Sequence, residues 1–244
     1  MGRGPNIEGR KNAEDAKRAK LFTKLIREIT VAARGGDPAG NPRLRLAMDK
    51  ALAANMSKDT IDRAVRRGSG AEGADASQEI RYEGYGPGGI AVMVDCVTDN
   101  PTRTVADVRH AFSKHAGNLG TSGSVAFQFR RLGQLVFDTG GDAGVEEKIL
   151  ELALDAGVED VRSTANRCEV LTSPETFEAV RKILGRADLK LISADIVVRP
   201  NSRVAVGGEA AENLGKLLER LEELDDVQDV HHNADLPEPV STAA

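Results

Sequence analysis

Five cations in the first third of this chain, Lys17, Lys20, Lys24, Arg27 and Arg34, follow one another at spacings of 3, 4, 3 and 7. On a helix, at about 100° per residue, such spacing gathers them on one side. A line of Lys and Arg suits a phosphate backbone, because each cation set on a phosphate releases a condensed counterion. Only Glu28 lies near the line, so a solvated face balanced by acids is the weaker reading. Arg63, Arg66 and Arg67 form a second group, open to two roles: phosphate contact, or complementing the dipole at a helix C-terminus.

Other chemistry is poorly supported. Gly84, Gly86 and Gly89 match G-x-G-x-x-G, but a strand pattern follows rather than the helix whose N-terminus would hold a pyrophosphate, so a hairpin turn is expected. His110 and His115 are five apart, and His231 and His232 adjoin in a strand pattern, so no Cys/His cluster has metal spacing. Ser122 and Ser124 lack the nucleophile-elbow frame. The carboxylates Glu219, Glu222, Glu223, Asp225, Asp226 and Asp229 read as a solvated helix face and its C-terminal turn. No catalytic residue, cofactor or metal is expected, and no small-molecule substrate.

The stripe needs a helix, and its pattern runs from an N-cap at Asn12 to Arg34, stopped by Gly35-Gly36. Leu21, Phe22, Leu25, Ile26, Ile29, Ala32 and Ala33 form its apolar face. A second helix opens at Asn41-Pro42, turns Leu44, Met48, Ala51 and Leu52 inward and ends near Asn55. A third opens at Ser57, carries Ile61, Ala64 and Val65 and stops at Gly68. Residues 68–78 read as a flexible linker.

Beyond Glu79 strand and helix patterns alternate. Strands at Ile80–Glu83 and Ile90–Thr98 flank the turn 84–89, a helix covers Thr102–His115, a glycine-rich loop covers 117–123, and a strand covers Ser124–Arg130. Residues 133–199 then run β-α-β-β-α-β, the ferredoxin-like order. A helix near Glu209–Leu224 and a strand at Val227–His232 would complete the earlier sheet. The expected fold is α+β: a basic helical domain (1–75), a discontinuous α/β domain (76–131 and 203–236), a ferredoxin-like unit (132–202) inserted in it, and a disordered tail (237–244).

Charge divides along the same lines. Residues 1–70 carry 16 Lys+Arg against 8 Asp+Glu, and the other 174 carry 17 against 30. A basic module on an acidic body points to a polyanion held at one end. Aromatics at 3% with no Trp leave Ala, Val, Leu and Ile to build the core. No apolar run approaches the roughly 20 residues that span a bilayer. The two distant cysteines, Cys96 and Cys168, fit a reducing compartment. A cytoplasmic protein with no membrane partner is expected.

Longer motifs carry a resemblance. Lys11, Asp15-Ala16-Lys17-Arg18, Phe22-Thr23-Lys24-Leu25-Ile26-Arg27-Glu28, Asn41-Pro42-Arg43-Leu44-Arg45 and Ala54-Asn55-Met56-Ser57-Lys58-Asp59 resemble the YebC family. So do Tyr82-Glu83-Gly84-Tyr85-Gly86-Pro87-Gly88-Gly89, Thr98-Asp99-Asn100, Arg103-Thr104-Val105, Arg109-His110-Ala111-Phe112-Ser113-Lys114-His115 and Gly117-Asn118-Leu119-Gly120. The resemblance implies a three-domain α/β protein of bacterial cytoplasm, found also in mitochondria as a translational activator of cytochrome oxidase. It implies a DNA-binding transcriptional regulator or, alternatively, a ribosome-associated factor on ribosomal or transfer RNA that helps peptide-bond formation through proline runs. Where the family opens Gly-His-Ser-Lys-Trp-Ala-Asn-Ile, this chain has Arg3-Gly4-Pro5-Asn6-Ile7, so contacts of that Lys and Trp do not carry over.

The expected nucleic-acid-binding set is Lys11, Lys17, Arg18, Lys20, Lys24, Arg27, Arg34, Arg43, Arg45, Lys58, Arg63, Arg66 and Arg67. A second contact surface is expected from Tyr85, Gly86, Asn100, Arg103, Arg109 and Asn118, on loops whose glycines let backbone N–H groups approach a phosphate. The alternative is that those glycines only make tight turns.

Overall fold

The computed structural model describes residues 5–71 and 76–236; the expected tail 237–244 and part of the expected linker, 72–75, lie outside the described residues. The described backbone divides into two units, one holding residues up to 124 with 206–230, the other 125–205 with 231–235.

The first unit opens with α1 (Pro5–Ala32), α2 (Pro42–Ala53) and α3 (Lys58–Gly68). α1 starts seven residues before the expected cap at Asn12, with Pro5 at its first position, where a missing N–H costs nothing. A 3-10 turn at Ala33–Gly35 ends it. Asn41 works twice: its Oδ1 accepts from the Leu44 N–H (3.1 Å) to cap α2, and its Nδ2 donates to the Ala32 carbonyl (2.6 Å) at the end of α1. Ser57 caps α3 through the Thr60 N–H. Leu25, Ile29, Leu44, Ala47, Ala51, Met56, Ile61 and Ala64 form the core between these helices. Leu21 and Leu52, expected inside, are exposed, and Ala47 takes the inward place on α2. Gly68 is required by contact, since a Cβ there would lie 2.0 Å from the Thr30 carbonyl oxygen.

The same unit holds the hairpin β1 (Gln78–Tyr85) and β2 (Ala91–Thr98), paired from Gln78↔Thr98 to Tyr85↔Ala91. α4 (Pro101–Lys114) follows, then β3 (Asn118–Leu119), antiparallel to β1. Much later come α7 (Gly208–Glu223) and β9 (Val227–His232), giving the sheet order β3-β1-β2-β9. Both helices lie against one sheet face: a Cβ at Gly84 would strike Phe112 of α4, and one at Gly86 would reach Leu214 and Leu217 of α7.

The second unit contains β4 (Phe129–Asp138), α5 (Ala143–Asp155), β5 (Asp160–Thr164), β6 (Arg167–Thr172), α6 (Phe177–Leu184) and β7 (Leu191–Pro200). Its sheet order is β5-β6-β4-β7 with every neighbour antiparallel, the ferredoxin-like arrangement. Leu135, Phe137, Cys168 and Val170 meet Ile149, Ala153, Phe177, Val180 and Leu184 in its core. A short parallel pair, β8 (Val204–Ala205) with β10 (Ala234–Asp235), completes it. The strand expected at Ser124–Arg130 does not form; a 3-10 turn occupies Ala126–Gln128, and β4 begins only at Phe129.

Candidate nucleic-acid interface

Residues 14–19 of α1 are all exposed, so the helix carries Lys17 and Arg18 out past the core that grips it from Phe22 onward. Arg18 lies over the Phe22 ring, 5.3 Å from its centroid, and Lys20 is half-buried beside them. Among the described residues no carboxylate pairs with Lys17, Arg18 or Lys20. The side chain of Lys11 lies outside the described residues.

One helical turn further on the stripe changes character. Lys24 Nζ donates to the Gln228 carbonyl (2.9 Å), and burial pushes its pKa down against the pull of Asp229. Arg27 donates to the Asp225 carbonyl and lies 3.4 Å from an Asp226 carboxylate oxygen. These two cations bracket α1 to the turn between α7 and β9, so the expected stripe is engaged within the chain at Lys24 and Arg27.

Asp226 is the centre of that bracket. Its side chain is only 8% exposed, and one oxygen accepts from Arg103 (2.8 Å), from the Thr104 hydroxyl (2.8 Å) and from the Thr98 hydroxyl (3.2 Å). Burial opposes its ionisation, but the hydrogen bonds from Arg103 and Thr104 and the charges of Arg103 and Arg27 hold its carboxyl below the usual range. Around it Arg27, Asp99, Arg103, Asp107, Arg220, Glu223 and Asp225 line a cleft of about 570 Å3 in which, with Asp226, three arginines face five carboxylates. The expectation of a wholly solvated acidic turn is therefore wrong at Asp226.

The remaining cations divide again. Arg43 is clamped by Glu28 (2.8 Å) and Glu79 (2.5 Å), whose hydrogen bonds raise its pKa further, so it ties α2 to α1 and β1. Arg45 is spent on the Pro38 and Ala39 carbonyls. Arg63 pairs with Asp59 one turn away (2.9 Å) on an open surface. Lys58, Arg66, Arg67 and Arg34 are exposed. Solvent-exposed cations therefore lie on the α1 extension and on α3, with the C-terminal end of α3 set against α1 by the Gly68–Thr30 contact.

The second expected surface does not form as one patch. Tyr85 and Asn118 are paired across β1 and β3, so the two glycine loops meet at one end of the sheet. There Glu83 anchors the loop: its carboxylate accepts from the Gly123 N–H and its carbonyl from the Gly120 N–H, both at 2.8 Å. The Tyr85 hydroxyl donates to the Ser124 carbonyl (3.1 Å). Gly86 is buried under α7 and offers no surface. Asn100 and Arg103 lie beyond the opposite end of the sheet, since Thr98 pairs with Gln78 while Tyr85 pairs with Ala91. Asn100 caps α4 through the Arg103 N–H (3.1 Å), and Arg103 also holds Asp99 (3.1 Å). Arg109 is exposed midway along α4.

Sequence reading missed the cations gathered at the loop end of α4. Burial, then Lys114 and, from α7, Lys216 and Arg220, with His110, push the His115 pKa down. The signal available was the spacing of 4 between His110 and Lys114 beside His115, but α7 enters about a hundred residues later.

Comparison with known proteins agrees with this architecture. The model described as TACO1/YebC protein N-terminal domain matches residues 3–71, and that described as TACO1/YebC second and third domain matches residues 77–234. A probable transcriptional regulatory protein of Stenotrophomonas maltophilia is 58% identical over 241 residues, covering 97% of this chain and 98% of that protein. Another, from Xanthomonas oryzae pv. oryzae, is 57% identical over 239 residues, covering 96% and 98%. The crystal structure of a conserved hypothetical protein from Aquifex aeolicus superposes with a TM-score of 0.81 at 44% identity, covering 94% of this chain and 95% of that one. With both family models and full-length relatives in register, the chain belongs to the TACO1/YebC family.

Proposed function

We propose that this chain is a non-enzymatic, nucleic-acid-binding regulator of gene expression that grips a phosphate backbone with the α1 extension and the exposed face of α3. The observation that carries this reading is the α1 extension itself: a helix leaves its own core and holds Lys17 and Arg18 towards solvent, with Lys20 half-buried, and no carboxylate pairs with the three among the described residues. The relatives' names, probable transcriptional regulatory proteins, support regulation as the outcome. The DNA reading follows those names.

A second reading, RNA on the ribosome with relief of stalling at proline runs, is favoured by the side chains present. The charged positions of α3 are Lys58, Asp59, Asp62, Arg63, Arg66 and Arg67, with no Asn or Gln on that helix to read an adenine edge. Lys and Arg go chiefly to phosphate, which positions a backbone, and the base edge left for them to read is that of guanine.

The test uses duplex DNA and a structured RNA across a salt series. Changing Lys17, Arg18 and Lys20 to Ala should lower the slope of log affinity against log salt by about 2 to 3, at roughly 0.7–0.9 per phosphate contact. The melting temperature should be unchanged. Changing Lys24 and Arg27 to Ala should do the opposite, lowering stability with the slope nearly intact. An unchanged slope in the triple variant would refute the interface. A clear preference for RNA, with ribosomes co-purifying at low salt, would select the second reading.

A further inference from the structure

The helical face of the ferredoxin-like unit leaves large apolar side chains in water. Leu150 and Leu154 of α5 are 44% and 66% exposed, and Ile183 of α6 is 41% exposed. They lie in rows. Glu147, Leu150, Glu151 and Leu154, at spacings of 3, 1 and 3, share one side of α5. On α6 the outward side carries Ala179, Lys182 and Ile183, with Arg186 just past its end. One helix thus presents an acidic apolar ridge, and its neighbour a basic apolar ridge with a small residue in it.

The two ridges are in register with each other. α5 and α6 run antiparallel, because each runs back from its preceding strand, β4 or β6, and those strands are antiparallel. Lys148 Nζ donates to the Ala187 carbonyl (2.7 Å), which fixes the start of α5 beside the end of α6. Advancing along α5 therefore retreats along α6 at about 1.5 Å per residue. Glu147 stands level with Arg186, Glu151 with Lys182, and Leu154 with Ala179.

We propose that this face is a self-complementary interface on which a second copy of the chain docks by two-fold symmetry. Turning a copy about an axis along the helices, midway between them, lays its α5 over α6 and its α6 over α5. Each helix keeps its level in that rotation. Glu147 and Glu151 of one protomer then meet Arg186 and Lys182 of the other, Leu154 enters the gap left by Ala179, and every pair occurs twice, as an isologous contact requires. A second copy fits better than an unrelated protein because both halves of the complementarity, in charge and in level, are already on one face. α5 is about 20 Å long, α6 only about 12 Å, and helices pack about 10 Å apart, so the interface buries somewhat less than about 1,000 Å2 in total, the size of a weak contact. The dimer is weak and reversible.

Sedimentation velocity of the full chain from about 1 to about 300 µM tests this, since a contact of that size associates in the micromolar range or weaker. The native chain should shift from monomer to dimer across the range. Leu154→Asp should remain monomeric throughout, with unchanged circular dichroism. Glu151→Lys and Lys182→Glu should each weaken association about tenfold or more, while the chain carrying both should regain it. That reciprocal rescue separates an interface from a general loss of folding. A native chain that stays monomeric, a dimer indifferent to Leu154→Asp, or a double reversal no better than either single one would overturn the proposal.

Discussion

Replacing Asp226 with Ala should destabilise the first unit far more than a change at a surface acid. The carboxylate is nearly buried and accepts from two hydroxyls, Thr104 at 2.8 Å and Thr98 at 3.2 Å, while holding Arg27 of α1 at 3.4 Å. Each lost hydroxyl bond costs about 1 kcal/mol. The ion pairs with Arg103 (2.8 Å) and Arg27 add less, because both arginines keep access to solvent. Together they give a loss of about 2–3 kcal/mol, or roughly 5–10 °C in melting temperature at about 2–4 °C per kcal/mol for this size. The acid dependence follows from the lowered carboxyl pKa. The stabilisation is complete above the unfolded carboxyl's pKa of about 3.9 and is lost as pH falls through the lower folded value. Asp226→Asn, which keeps the shape without the charge, should be less stable than the native chain at pH 7, and the two should converge towards pH 2. Thermal melts followed by circular dichroism measure both. A melting temperature within 1–2 °C of native for Asp226→Ala, or a native–Asn gap that persists in strong acid, would refute the assignment of Asp226 as the residue that seats α1.

Gly68→Ala should also destabilise the helical part, by about 1–3 kcal/mol or more, because the new Cβ would fall on the Thr30 carbonyl and on Ala33; chemical denaturation measures it, and a neutral result would mean that α3 shifts freely along α1. Cys96 and Cys168 should resist thiol reagents at pH 8 until the chain is denatured. Burial, then Asp226 and Asp95, push the Cys96 thiol up to about 12, and burial raises Cys168 as well; rapid labelling of either in native protein would contradict the packing around it.

The helices and the ferredoxin-like order were legible because their signals are local. Asn41 and Ser57 announce their caps, and the alternation across 133–199 needs no distant partner. Asn12 misled as a cap because Pro5, seven residues earlier, already opens a helix. Ser124–Arg130 has apolar alternation but follows a loop tied down by Glu83, and pairing with β6 and β7 begins only at Phe129 and beyond. Gly86 looked like a loop glycine available to a ligand, yet the residues that need its missing Cβ, Leu214 and Leu217, enter the chain more than a hundred positions later.

The charge split illustrates the same limit at the level of function. A basic module on an acidic body is what a polyanion binder looks like, and equally what two docked parts of one chain look like. The second holds for part of the charge: Lys24 and Arg27 answer the turn at Asp225, Asp226 and Gln228, and Arg43 answers Glu28 and Glu79. What distinguishes the remaining cations is not their sequence spacing, which is continuous from Lys17 to Arg27, but the point at which α1 passes out of its core. Lys17 and Lys24 sit on the same line two turns apart, yet one faces water and the other is held by a carbonyl 204 residues away. On the proposed reading, the number of phosphates α1 neutralises is therefore set by where Phe22 and Leu25 anchor the helix, and any count of its positive charges overstates it.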